Sequence, residues 1–424
     1  MLDYSKYSQN IFSPCLDNGA RICFSKGEGA YLYDNNKTYI DFWNCFGSVL
    51  LGHNDGDVID AIRRAIDYRN LLNAPTDYLN QFSDLILEDY PNKDQIAIFN
   101  SGTSAVKAAV TIAIKYTTKN IILSSGYHGW DAIWSKSDLP LSPNQYNVID
   151  FYYIQEELER LLEKYKGQIA AVVISPDKSY FSNEFYKHIN DVCKQNNIFI
   201  IVDDVKVGYR YNVGASLPNS IIDADIYVVS KCIANGSKIS CVIGGRSVLN
   251  HGQHFYYTSF FDMYPIITAI ATLKKQKSQN IHTKINDIGN QFISEALKVI
   301  NSLELPIEIK GNGNLFQFIL YNDALSRNFF VESINQGLLF YVGDNQCISF
   351  AFNQTICGHA LDRLEKVLKK LRKKFPNLVA KKVDATRLFL TAYNQIDGCI
   401  ESMSYQQKIN FINNIYKNRT FLPK

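Results

Sequence analysis

A procession of short apolar runs through the middle of the chain constrains its fold more than any other feature. Ile96–Phe99, Ile121–Leu123, Ala170–Ile174, Ile198–Val202, Ile226–Val229 and Cys241–Ile243 are each bounded by polar or turn residues. None alternates apolar with polar, so each suits a strand buried on both faces. Between them lie helical patterns at Ala105–Tyr116, Gln155–Lys164 and Asn183–Lys194. Strand and helix taking turns predicts an α/β fold built on a mostly parallel sheet covered by helices. Beyond about residue 275 the pattern changes. Helix-like stretches at Ile285–Ser302 and Gly358–Lys374 flank strand candidates at Leu315–Leu320 and Ile348–Ala351, which predicts a smaller α+β domain. Near the start, Ala30–Asp34 and Thr38–Phe42 read as a hairpin around Asn35-Asn36-Lys37.

Charge and composition exclude several classes of partner. A formal net charge of +3 leaves no strongly basic field for nucleic acid or an acidic membrane. No apolar run approaches the length of a membrane span, and Met1–Asn10 lacks the apolar core of a signal peptide. The nine cysteines are scattered without a C-x-x-C pair, and no histidine shows zinc-ligand spacing. Reduced thiols, a cytoplasmic location and no metal are therefore expected. The basic run Arg363–Lys374 reads as the solvated face of an amphipathic helix.

Four short motifs are candidates for chemistry. Asn100-Ser101-Gly102-Thr103 follows a strand candidate and opens a helical run, where unpaired N–H groups suit a phosphate. Taken alone, the same residues read better as a plain helix cap. Tyr127-His128-Gly129 follows another strand, and its aromatic ring can stack on a flat heterocycle or simply pack. Asp203-Asp204 ends the run Ile198–Val202, at the strand edge where α/β sheets bind ligands or cap loops. Lys231 comes directly after Asp225–Ser230, as a solvated side chain or as an amine tuned by its surroundings. Each signal is weak alone; their order is that of a site for pyridoxal phosphate, whose ring nitrogen wants an anion and whose aldehyde wants an amine.

Those motifs and several others resemble the class III aminotransferases, within them the glutamate-1-semialdehyde aminomutase branch. Gly29-Ala30-Tyr31-Leu32-Tyr33-Asp34 with Tyr39-Ile40-Asp41 resembles the family's N-terminal hairpin. Leu51-Gly52-His53-Asn54, Ala74-Pro75-Thr76, Ile201–Val205 with Gly208-Tyr209-Arg210, and Gly244-Gly245-Arg246 match further motifs in the family's order. The resemblance spans roughly residues 13–375. It implies the fold type I pyridoxal-phosphate-dependent transferase fold, working as a homodimer with a shared active site. It implies that Lys231 carries pyridoxal 5'-phosphate as a Schiff base and that Asp203 pairs with the ring nitrogen. Ser101, Gly102 and Thr103 would hold the phosphate, Val205 would pack under the ring and Tyr127 over it. Thr258, in Tyr256-Tyr257-Thr258-Ser259, aligns with a threonine that reaches the neighbouring subunit's phosphate. The expected organisation is an N-terminal segment over 1–45, a large cofactor-binding domain over 46–275, a small domain over 276–375 and an extension over 376–424. In that extension Arg387–Tyr393 and Lys408–Tyr416 are apolar enough to pack.

The departures from the family concern the substrate. Ser13-Pro14-Cys15-Leu16 has leucine where the semialdehyde aminomutases carry a carboxylate-binding arginine. Ser104 and Ser175 replace two glutamates, Phe46 replaces a pocket tryptophan, and Ser349 stands where ketoglutarate-using relatives have arginine. Losing such clamps changes what binds; Arg21, Lys178 and Arg210 are the nearby cations that can substitute. The expected function is an aminotransferase moving an amino group between a small amino donor and a small carbonyl acceptor. An intramolecular aminomutase and a non-catalytic cofactor-binding relative are the alternatives.

Overall fold

The computed structural model describes residues 22–35, 37–134, 147–320, 323–342 and 344–378. The expectations for Ser13–Leu16, Arg21, Arg387–Tyr393 and Lys408–Tyr416 lie outside the described residues. The chain divides into two compact units; of the described residues, one holds those up to Ile59 together with those from Asn280 on, the other Asp60–Gln279.

The first unit begins with the hairpin expected from the sequence. Strands β1 (Lys26–Glu28), β2 (Tyr31–Tyr33) and β3 (Thr38–Asp41) pair antiparallel, with Tyr31 opposite Ile40. Asp41 then shapes an unusual turn, because Asn44, Cys45 and Phe46 all adopt left-handed φ values of 46, 50 and 57°. Left-handed backbone costs an ordinary residue about 1–2 kcal/mol, and local bonds offset it. Asp41 Oδ1 accepts the Trp43 and Asn44 N–H groups at 2.8 and 3.0 Å, while Oδ2 meets His53 Nε2 at 2.8 Å. Helix α1 (Gly56–Asp67) follows.

The second unit is the α/β body. Helix α2 (Asp77–Leu87) precedes β4 (Gln95–Phe99), α3 (Gly102–Thr117), β5 (Ile121–Ser125) and β6 (Asn147–Asp150). Then come α4 (Gln155–Lys164), β7 (Ile169–Ile174), α5 (Asn183–Gln195), β8 (Phe199–Asp203), β9 (Ile226–Val229), β10 (Ser240–Gly244) and α6 (Met263–Ser278). The seven strands lie in the order β4-β10-β9-β8-β7-β5-β6. All six apolar runs are strands of this sheet, and it is mostly parallel as the alternation predicts. Only β10 runs against its neighbours β4 and β9. Because β10 reverses between them, β4 points the same way as the parallel strands. Every side chain of β5, β7, β8, β9 and β10 is buried. Helix α3 lies across the sheet and packs Ala105, Val106, Ala109 and Ile112 against Ala171, Val173 and Val228. Burying a Val or Ile side chain stabilises by about 1.5–3 kcal/mol, which anchors this helix firmly.

The first unit resumes with α7 (Ile281–Ser302), β11 (Ile307–Asn312), β12 (Leu315–Leu320), α8 (Asp323–Asn335), β13 (Leu338–Leu339), β14 (Gln346–Cys347) and α9 (Gln354–Lys374). Strand β13 joins β3 in parallel, and β12 pairs with β11 and β14. The expected strand Ile348–Ala351 is corrected here. Pairing with β12 stops at Cys347, and the Phe350 N–H turns to the Leu50 carbonyl at 2.8 Å instead. Phe42, Phe292, Phe316, Phe340 and Phe352 form the aromatic centre of this unit, with ring centroids 4.8–6.2 Å from Phe42. On α9, Ile356, Leu364, Val367 and Leu371 are buried while Lys366, Lys369, Lys370 and Lys373 face solvent. The basic run is the solvated face of this helix. No helix among the described residues is long and apolar enough to cross a membrane.

Candidate active site

Four parallel strands end on one edge of the large sheet, and the singled-out residues follow those ends. Ser101, Gly102 and Thr103 come after β4, Tyr127 after β5, Asp203 closes β8 with Val205 just beyond, and Lys231 comes after β9. This edge is where α/β sheets collect ligand-binding side chains, because the loops leaving it can approach one another.

Close approaches of glycine show how tightly these loops meet. A Cβ on Gly102 would lie 2.7 Å from Val205 Cγ1, so the start of α3 abuts the residue after Asp203. A Cβ on Gly129, whose φ is +92°, would overlap Thr103 Oγ1. The loop carrying Tyr127 and His128 therefore rests directly on the same helix start. Tyr127 itself is half exposed.

Ser101 caps α3: its hydroxyl accepts the Ser104 N–H at 3.2 Å and lies 2.8 Å from Ser104 Oγ. The cap and a phosphate site are compatible here. Capping engages one first-turn donor, while the Gly102 and Thr103 N–H groups point out of the helix end without intrahelical acceptors.

Asp203 is buried against His128, with Oδ2 2.8 Å from Nδ1 and both side chains almost wholly shielded from water. Its Oδ1 accepts the Val205 N–H at 3.1 Å. With the carboxylate accepting from Nδ1, the imidazole carries its proton there and Nε2 is a buried acceptor without a partner. The ring lies 4.7 Å from that of Trp134. Sequence reasoning singled out Tyr127 in this motif and gave His128 no task. A His one residue from a strand-edge aromatic was the only available signal, and it says nothing of a partner 75 residues away.

Asp204 does different work from its neighbour. It is fully buried, with Oδ1 accepting from Ser216 Oγ at 2.5 Å and Oδ2 from the Ser216 N–H at 2.8 Å. Burial pushes its carboxyl up to about 7, against the opposing pull of the Ser216 bonds. It ties the loop after β8 to the sheet. Lys178 donates to the Ser216 carbonyl at 3.3 Å and lies over the Tyr211 ring, and burial pulls its pKa down. Arg210 is fully buried.

Lys231 opens a short 3-10 turn, Lys231–Ile233, with φ at +49°. An ordinary residue in the left-handed region is uncommon, and such strain clusters at functional sites. Thr258 stands apart, on the exposed loop preceding α6, and takes no part in the contacts described above. In the first unit, Phe46 packs against Trp43 and Tyr341, and Ser349 is buried with its Oγ unpaired.

The donor set suits pyridoxal phosphate. A helix N-terminus with hydroxyls takes a phosphate dianion, and the Asp203 oxygens each accept one bond, so lone pairs remain for a protonated ring nitrogen. A lysine stands on the adjacent strand end. Among the described residues no cluster of His, Cys, Asp or Glu is arranged to hold a metal.

Comparison with known proteins agrees with this chemistry. Residues 15–371 match the family described as aminotransferase class-III. A 2'-deamino-2'-hydroxyneamine transaminase from Streptomyces kanamyceticus is 27% identical over 341 residues, covering 78% of this chain and 87% of that protein. A glutamate-1-semialdehyde 2,1-aminomutase from Nitrosopumilus maritimus (strain SCM1) is 27% identical over 331 residues, covering 71% and 78%. The crystal structure of ornithine aminotransferase from Toxoplasma gondii ME49 shares the fold at a TM-score of 0.74 and 21% identity, over 88% of this chain and 94% of that one.

Proposed function

The chain belongs to the class III aminotransferase family of pyridoxal-phosphate enzymes, and from that premise we propose that Lys231, Asp203 and the α3 N-terminus form its catalytic centre. The enzyme moves an amino group between a small amino donor and a small carbonyl acceptor. The observation that carries this reading is the convergence of Ser101–Thr103, the Tyr127–Gly129 loop, Asp203 and Val205 at the strand edge where Lys231 also stands.

Bound pyridoxal 5'-phosphate supplies the electron sink that lets a Cα proton leave. The N–H groups of Gly102 and Thr103 and the hydroxyls of Ser101 and Thr103 bind its phosphate at the positive end of α3. Asp203 holds a proton at the ring nitrogen, and His128 fixes the carboxylate's orientation through Nδ1. Val205 and Tyr127 would hold the ring between them. Lys231 Nζ would hold the cofactor's aldehyde carbon and, once free, would serve as the general base for the proton on the donor's Cα. Thr258 reaches the phosphate of a second subunit, so the working form is a homodimer with shared sites, located in the cytoplasm.

An intramolecular aminomutase uses the same residues, and the relative from Nitrosopumilus maritimus keeps it as the second reading. Dependence on a separate carbonyl acceptor distinguishes the two. Leu16 and Ser349, each in place of an arginine, favour a substrate other than an acidic one. The relative from Streptomyces kanamyceticus is named as a 2'-deamino-2'-hydroxyneamine transaminase, and a sugar- or polyol-derived carbonyl is the first class to assay.

Borohydride treatment of the yellow holoenzyme should fix a phosphopyridoxyl group on Lys231, read by peptide mass spectrometry. Lys231→Ala should still bind the cofactor through α3 yet lose activity by several orders of magnitude. Label on a different lysine overturns the assignment.

A further inference from the structure

We propose that Gln276 is a positioning residue for Lys231, holding the turn that carries the lysine in its left-handed conformation. The proposal rests on the assignment of Lys231 as the cofactor lysine.

The turn carrying Lys231 is held by bonds from within and from outside it. Within it the Ala234 N–H reaches the Lys231 carbonyl at 3.2 Å and the Ile233 N–H reaches the Ser230 carbonyl at 3.3 Å, both long. Left-handed φ values recur just downstream, at Asn235 (45°) and Gly236 (96°). At Lys231 and Asn235 that region is uncommon for a side-chain-bearing residue. Bonds from outside the segment also hold it. Gln276, on α6, donates from Nε2 to the Cys232 carbonyl at 2.8 Å. On the other side, Ser230 Oγ donates to the Ile239 carbonyl and accepts from Ser240 Oγ, each at 2.8 Å. Lys231 is thus flanked by two residues whose polar groups are pinned by distant parts of the unit.

Gln276 is itself a costly residue for its position. It is buried at 2% exposure on a helix whose neighbouring inward residues include Leu273 and Ala269, and its Oε1 has no hydrogen-bond partner. A buried amide left half-satisfied destabilises, whereas an apolar side chain there would not. Its one bond is to the turn carrying Lys231. At a residue with positive φ, relaxing the backbone swings the whole side chain, and a shift of about 1 Å in a catalytic group can cost on the order of a hundredfold in rate. The Gln276 side chain bonds to the Cys232 carbonyl, next to Lys231, so its effect falls on the lysine's placement.

The test uses Gln276→Met, which keeps length and bulk but removes the donor, with Gln276→Leu as the second variant should the first not fold. In the holoenzyme kcat should fall about tenfold while KM for the amino donor stays within about twofold, as expected for loss of one buried hydrogen bond acting on the chemical step. In the cofactor-free protein, hydrogen exchange of the Lys231–Gly236 amides should quicken about tenfold while β9 and β10 keep their rates. Wild-type kcat with wild-type exchange in that segment overturns the proposal, as does faster exchange spread evenly over the unit. Borohydride labelling of the wild type separates this from the premise. Label on Lys231 with an unaffected variant sinks only the role of Gln276, whereas label elsewhere sinks the lysine assignment and the kinetic half of the proposal with it.

Discussion

Asp203 and Asp204 are consecutive in the chain, yet their surroundings give them opposite tasks. Asp203 faces His128 at 2.8 Å at the edge of the sheet, while Asp204 turns under it to Ser216. Burial outweighs the Ser216 bonds and the weaker pull of the Lys178 charge, which is why the Asp204 carboxyl rises to about 7. The folded protein therefore keeps a proton that the unfolded chain loses near about pH 4. The native state binds the extra proton across that window, so stability is full at the acid end and falls as pH rises through about 7. Asp204→Asn abolishes this ionisation. Urea unfolding between about pH 5 and 8 should show the stability of wild type declining relative to the variant as pH rises. A difference constant with pH would mean that Asp204 titrates as an ordinary surface carboxyl.

Helix α3 is the element on which the cofactor assignment depends most, and its first turn is a compromise between propensity and contact. Alanine is a better helix former than glycine by about 1 kcal/mol, so Gly102→Ala should stabilise if nothing opposed the new methyl. Here Val205 Cγ1 would lie 2.7 Å and Cγ2 3.0 Å from it. Overpacking of this kind costs about 1–3 kcal/mol, which outweighs the propensity. The variant should lose stability in denaturant unfolding of the cofactor-free protein and bind pyridoxal phosphate more weakly, because Val205 is pushed from its place. A stabilised variant with unchanged cofactor affinity would show that α3 and Val205 do not meet. The same helix explains why its sequence allowed two readings: Ser101 does cap it, and a capped helix still presents free N–H groups.

For the molecule as a whole, the cofactor equipment keeps the family pattern and the substrate equipment does not. If Leu16 stands for the relatives' carboxylate-binding arginine, as the resemblance implies, a charge-assisted bond worth about 1.5–3 kcal/mol is lost, or roughly tenfold to a hundredfold in affinity. Arg210 is fully buried and Lys178 is tied to the Ser216 carbonyl, so neither is poised to replace it. The enzyme should convert glutamate-1-semialdehyde to 5-aminolevulinate poorly. A rate matching that of a dedicated aminomutase, measured directly with the semialdehyde, would overturn this view and make the arginine irrelevant.

Much of the architecture was legible because it is written locally. Six uninterrupted apolar runs fit strands covered on both sides, five of them fully buried and Gln95–Phe99 half-buried, and the patterns between them fit helices. The order of a helix-start phosphate motif, a strand-edge carboxylate and a strand-edge lysine then narrowed the chemistry to one cofactor. Other features depend on residues far apart in the chain, and no local pattern encodes them. The reversal of β10 follows from where its neighbours lie, and the end of β14 at Cys347 follows from the pull of the Leu50 carbonyl on Phe350. The bond from His128 to Asp203 and the bond from Gln276 to Cys232 each join segments that only folding brings together. Residue type and periodicity determined which elements form and which cofactor they suit. Tertiary packing decided which partners the buried polar groups meet, which sets Asp203, beside His128, apart from Asp204, beside Ser216, and brings Gln276 to the turn that carries Lys231.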